Sequence, residues 1–94
     1  MITYEFKPSF DRTIKTLPAE KRQEIKSLAK QLIELLSKGQ RLPMGMGLTR
    51  LRGNYWELRS TIKERILFHY KKSEVDFVLV GSHDHVKKFL KNIK

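Results

Sequence analysis

The chain has no cysteine, which removes disulfide frameworks and thiol nucleophiles together. It has no apolar run approaching the ~20 residues that a membrane helix needs. Its start, Met1-Ile2-Thr3-Tyr4-Glu5, lacks the basic-then-apolar shape of a signal peptide. No His-x-x-x-His or paired-Cys spacing offers a metal site, and no cofactor motif is present. Gly45-Met46-Gly47 is not a phosphate loop, because neither Lys-Ser/Thr nor a helix follows it. Acidic residues are also scarce. Ten Asp and Glu stand against twenty Lys and Arg, for a formal charge of +10 over 94 residues. These limits predict one cytoplasmic domain over residues 1–94, away from membranes, with a polyanionic partner.

Apolar residues make up 39% of the chain, enough for one core if helices and a sheet each contribute a face. Ile2, Tyr4 and Phe6 alternate with polar residues, which predicts a short half-buried strand. Pro8 and Ser9 open a helix, with Ser9 as its N-cap and Pro18 as its end. From Ala19 to about Ser37, Ile25, Leu28, Ala29, Leu32, Ile33 and Leu36 keep the helical spacing. Gly39 is placed to stop that helix. Residues 39–47 read as a loop without chemistry.

Four strands follow: 48–51, 55–60, 65–71 and 75–82. Arg52-Gly53-Asn54, 61–64 and Lys72-Ser73-Glu74 are their turns. The last strand is almost wholly apolar, so it belongs inside the sheet. Val86, Phe89, Leu90 and Ile93 then space as a short helix, with Asp84 as a candidate cap. The predicted fold is α+β: an N-terminal helical hairpin on a small, mainly antiparallel sheet, two layers deep, with a short C-terminal helix.

Side-chain parity places Tyr55, Glu57 and Arg59 on one sheet face with Arg65, Leu67 and His69. Trp56 and Leu58 share the other face with Ile66, Phe68 and Tyr70, which the hairpin should cover. Arg59 and Arg65 therefore fall on the more open face, and His83 stands at the exit of the inner strand. Arginine forks suit phosphate oxygens, and histidine moves protons near neutral pH. Two arginines and a histidine around one groove suit RNA cleavage without a metal. Ordinary alternatives stand beside this. Arg59 and Arg65 also have Glu57 or Glu64 as ion-pair partners, and a lone histidine after Gly-Ser at a strand end, as His83 is, also suits a helix-cap or turn position. Trp56 and His69 read as structural.

The segments Leu51-Arg52-Gly53-Asn54-Tyr55-Trp56-Glu57-Leu58-Arg59, Arg65-Ile66-Leu67-Phe68 and Val80-Gly81-Ser82-His83 resemble the RelE/ParE superfamily of toxins. The resemblance spans nearly the whole chain in element order. It implies a RelE-like fold, a cognate antitoxin, and, for RelE-type members, cleavage of mRNA on the ribosome by 2′-OH attack. Residue by residue, Arg65 matches the arginine that contacts the scissile phosphate, and Arg59 a basic position on the preceding strand. His83 matches the Gly-Thr/Ser-His histidine of YafQ-like toxins. Arg50, Arg52, Lys87, Lys26 and Lys30 become candidate RNA-binding residues, with no metal or cofactor required. The sequence departs from the pattern in three ways. The acidic base of YoeB-like toxins falls near Met46, the extra loop histidines of YafQ-like toxins are absent, and Phe89 is the nearest candidate for a base-stacking aromatic. ParE-like members share the fold but inhibit DNA gyrase without cutting RNA. A basic nucleic-acid-binding module without toxicity is a third reading.

Overall fold

A computed structural model describes residues 2–39, 47–59 and 64–93. Most of the expected 39–47 loop, the 61–63 part of one turn, Ser60 and the Met46 position lie outside the described residues. The elements are β1 (Thr3–Phe6), α1 (Pro8–Ile14), α2 (Ala19–Ser37), β2 (Leu48–Arg50), β3 (Tyr55–Arg59), β4 (Arg65–Lys71), β5 (Glu74–Gly81) and α3 (His83–Asn92). The sheet order is β1-β5-β4-β3-β2. Strands β2 to β5 form the expected antiparallel meander, and β1 pairs parallel to β5 at the edge.

Local chemistry explains the boundaries. Pro8 is the first residue of α1, where its missing N–H is not needed. Helix α2 stops where Gly39 takes φ +69°, its N–H donating to the Leu36 carbonyl at 3.0 Å. Gly53 takes φ +58° in the β2–β3 turn, as its sequence context suggests. The β4–β5 hairpin turns on Lys72 and Ser73, both at positive φ (50° and 66°). This is the pattern of a two-residue I′ turn, here without glycine or asparagine.

Helices α1 and α2 cover one sheet face. Phe10, Ile14, Ile25, Ala29, Leu32 and Leu36 bury Leu58, Ile66, Phe68, Val75, Phe77 and Val80. Trp56 and Tyr70 pack at the margin of this core. The expected two layers become three over part of the sheet, because α3 covers the other face. Val86, Phe89 and Leu90 meet Leu67, Val78 and Leu79 there. The cause is an irregularity in β5. Phe68 pairs with Phe77 but Leu67 pairs with Leu79, so Val78 is an extra residue. The bulge puts two successive apolar side chains on the α3 face and returns Val80 to the hairpin face.

Three further expectations are corrected. Ser9 is not the cap of α1, since Lys7 occupies that position. The Ser9 hydroxyl instead donates to the Val78 carbonyl, and the Thr13 hydroxyl accepts the Val80 N–H at 3.0 Å. Strand β1 ends opposite Phe77, so these two hydroxyls of α1 continue the edge hydrogen bonding of β5 where no strand remains. Helix α1 stops at Ile14, ahead of Pro18, while Pro18 stands at the start of α2 as its fixed φ suits. Asp84 does not cap α3. Ser82 does, its Oγ accepting the His85 N–H at 3.2 Å. A fourth difference concerns β1, which is exposed rather than half-buried: Tyr4 is 56% exposed and Phe6 37%.

Candidate functional site

Register fixes the site. Arg59 pairs with Arg65 across β3 and β4, and Arg65 pairs with Gly81 across β4 and β5. Gly81 leads through Ser82 directly into α3, so His83 becomes the first residue of that helix. The expected face assignment holds, and His83 lies beside Arg65.

Their contact is direct: an Arg65 guanidinium nitrogen meets His83 Nδ1. A guanidinium can only donate, so Nδ1 accepts and the ring proton of neutral His83 sits on Nε2. On its other side Arg65 Nε is 2.9 Å from Glu57 Oε1. Glu57 is the one buried charged residue among those described, at 4% exposure. The result is a chain of three, Glu57–Arg65–His83, running from the sheet face to solvent. Arg65 thus satisfies both readings of the sequence: it has the Glu57 ion pair, and it reaches the histidine. Glu64, the other candidate partner, instead meets Lys21 at 3.3 Å and ties β4 to α2.

Glu57 and His83 line an open groove of about 490 Å³ between α3 and the β2–β3 end of the sheet. Arg50, Arg52, Lys87 and Lys91 line it too. Lys87 stands one turn after His83, on the same side of α3. Four cations face one carboxylate that Arg65 already neutralises, so the groove favours a polyanion.

Some of the cations have structural work as well. Arg52 donates to the Leu90 carbonyl at 3.2 Å, at the C-terminal end of α3 where a cation is favoured. Arg50 donates to the Gly53 carbonyl at 2.9 Å, and its guanidinium lies 5.8 Å from the Trp56 ring centroid. Arg59 and Arg65 are not in the groove wall. Arg65 lies behind His83 and Glu57, with 18% of its side chain exposed. Arg59 is exposed at the end of β3, where its N–H donates to the Gly47 carbonyl at 3.1 Å.

Other expected residues lie elsewhere. Lys26 and Lys30 sit on α2, across the sheet, beside Tyr4 and Phe6. His85 points under Gly81 into a separate recess with Arg12 and Thr16. Phe89 packs in the α3 core against Tyr55, ring centroids 6.3 Å apart. His69 meets Tyr55 edge-on at 4.8 Å. At the far edge, the Lys7 ammonium is held above its ordinary value by its hydrogen bond to Glu5, then by the charges of Asp76 and Glu5. No three potential metal ligands cluster among the described residues. No described helix is long and apolar enough to cross a membrane.

The residue that sequence reasoning undervalued is Glu57. It entered only as a possible ion-pair partner, although it is the sole acid on the Arg65 face of β3. That isolation was the available signal.

A hairpin on one face of a β1-β5-β4-β3-β2 sheet and one helix on the other make a RelE-like fold. Solved toxin structures share it. A copper-bound mutant toxin from Helicobacter pylori superposes with TM-score 0.68 at 20% identity, over 92% of this chain and 99% of that one. YafQ from E. coli gives TM-score 0.65 at 18% identity, over 92% and 98%. The toxin–antitoxin complex RelB-RelE from Methanococcus jannaschii gives 0.63 at 20%, over 89% and 95%. No family model matches the sequence, and no curated protein matches it.

Proposed function

We propose that this chain is the toxin of a toxin–antitoxin pair and a ribosome-dependent mRNA endonuclease, acting in the cytoplasm and held in check by a cognate antitoxin. The observation that carries the reading is the Glu57–Arg65–His83 chain opening on a groove lined by four cations. The resemblance of Arg65 and His83 to nuclease positions supports it, as does the shared fold.

The chemistry follows from the geometry. In the free protein Arg65 donates to Nδ1 of His83, so that lone pair is occupied. A phosphate drawn into the groove by Arg50, Arg52, Lys87 and Lys91 competes for the Arg65 N–H groups. As the phosphate takes them, Nδ1 is released and accepts the proton of the neighbouring 2′-OH. The 2′-oxygen then bonds to phosphorus and the P–O5′ bond breaks. The leaving O5′ takes a proton from the imidazolium or from water. The products carry a 2′,3′-cyclic phosphate and a 5′-OH. Arg65, once the phosphate takes its N–H groups, stabilises the charge on the phosphoryl oxygens, the largest expected contribution in such a site; Arg59, its cross-strand neighbour outside the groove wall, adds positive potential from behind.

One observation favours a different reading. Glu57 already occupies the Nε side of Arg65, as expected of a structural pair in a ParE-like, non-nucleolytic toxin. Programmed ribosomes separate the two. Incubation with the protein should yield discrete new mRNA 5′ ends and fragments with cyclic phosphates. Intact mRNA together with inhibited supercoiling by DNA gyrase would establish the second reading instead.

A further inference from the structure

The exit of β5 has two sides, and only one of them belongs to the Glu57–Arg65–His83 chain. On the other side a recess of about 280 Å³ lies between α1 and the first turn of α3. It opens at the edge of β5 beyond Phe77, where β1 has ended. Arg12 and Thr16 line it from α1 and the turn that follows, and Ser82 and His85 from the start of α3. Glu64 is the one carboxylate in its wall among the described residues, and Lys21 already pairs with it at 3.3 Å. Asp84 lines neither this recess nor the cationic groove.

Three groups in the recess have donors to spare. The Arg12 guanidinium and the His85 ring make no hydrogen bond or ion pair among the described residues. The Ser82 oxygen accepts the His85 N–H at 3.2 Å, which leaves its own hydrogen to donate. The His85 ring occupies space that a side chain at position 81 would need, since a Cβ on Gly81 would come within 2.5 Å of its Nδ1. Glycine at 81 is what admits the ring. Donors brought together from opposite ends of the chain, with no free acceptor among them, suit the several oxygens of a phosphate. We propose that this recess is a second phosphate subsite, holding a neighbouring phosphodiester of the RNA strand whose scissile phosphate meets Arg65 and His83. His83 and His85 stand about 200° apart around the start of α3, so a strand crossing that end of the helix reaches both. The inference rests on RNA as the polyanion of the groove, but not on its cleavage. Inorganic phosphate presents the same oxygens without the strand that ties the recess to the groove.

The probe is a 2′-O-methyl RNA hexanucleotide, which lacks the attacking hydroxyl. Its binding is read by fluorescence anisotropy over a range of salt, without ribosomes, so failure here is distinct from failure of the nuclease reading. Arg12→Gln should weaken binding about three- to tenfold and lower the slope of log affinity against log salt by about 0.7, the share of one phosphate on a single strand. Lys15→Gln removes the same charge from an exposed position beside α1 and outside the recess, and should leave affinity within about twofold. In the parent, magnetic resonance should show the His85 ring signals moving as the hexanucleotide is added. An unchanged salt slope in Arg12→Gln, or an equal loss in Lys15→Gln, overturns the proposal. So do His85 signals that move with inorganic phosphate but not with the hexanucleotide, or a parent protein that does not bind the hexanucleotide.

Discussion

Cutting the Glu57–Arg65 pair tests how the site is held together. Glu57 is buried, its carboxylate is 2.9 Å from Arg65 Nε, and Arg65 keeps 18% of its side chain exposed. Removing one partner of a buried pair costs about 3–5 kcal/mol, because the other charge is left uncompensated. Arg65 retains His83 and some access to water, so Glu57→Ala should cost less, about 2–3 kcal/mol. For a domain of this size that lowers the melting temperature by roughly 10–20 °C. Glu57→Gln keeps an accepting oxygen and should cost about 1–2 kcal/mol. Replacing both partners, as Glu57→Met/Arg65→Met, removes the stranded charge and should return to within about 1 kcal/mol of the parent. Urea unfolding followed by the fluorescence of Trp56, the single tryptophan, measures all three. A Glu57→Ala protein within about 0.5 kcal/mol of the parent refutes the reasoning. A double variant destabilised by the full sum of its single changes refutes it equally.

Thr13→Val removes the acceptor of the buried Val80 N–H and should cost about 1–3 kcal/mol by thermal unfolding, while Thr13→Ser should cost under about 1. Lys72→Asn/Ser73→Gly supplies the residues that tolerate positive φ in the β4–β5 turn, and should raise stability by about 0.5–1 kcal/mol. A Cβ on Gly81 would lie 2.5 Å from His85 Nδ1 and 3.1 Å from its Cβ, so Gly81→Ala must turn the His85 ring away and press on the first turn of α3. It should reduce any cleavage far more than it reduces the melting temperature.

Helix α2 was legible because 19 residues repeat one spacing between Pro18 and Gly39. Strands β3 and β4 were legible because alternation and cross-strand parity agree. That parity put Arg59 and Arg65 on one face before any coordinates. The third layer was not legible. Its cause, the Val78 bulge, breaks the two-residue period inside a continuous apolar run that carries no phase information. The roles of Ser9 and Thr13 were hidden for a related reason. Their hydroxyls serve a strand more than sixty residues away, and nothing local distinguishes that from capping. Lys26 and Lys30 looked equivalent to the other cations because net charge has no direction. Side-chain parity already puts the hairpin across the sheet from Arg59 and Arg65, so the separation of Lys26 and Lys30 from His83 follows from that parity rather than from charge.

In the proposed reaction His83 moves a proton beside an arginine-held phosphate. The most direct measurement is single-turnover cleavage of mRNA on programmed ribosomes by the parent, His83→Gln and Arg65→Lys. Proton transfer predicts a loss of about 10²–10⁴-fold in His83→Gln with the fold intact. It predicts a partial loss in Arg65→Lys, since a point charge lacks the fork. Cleavage by His83→Gln at the parent rate would contradict it.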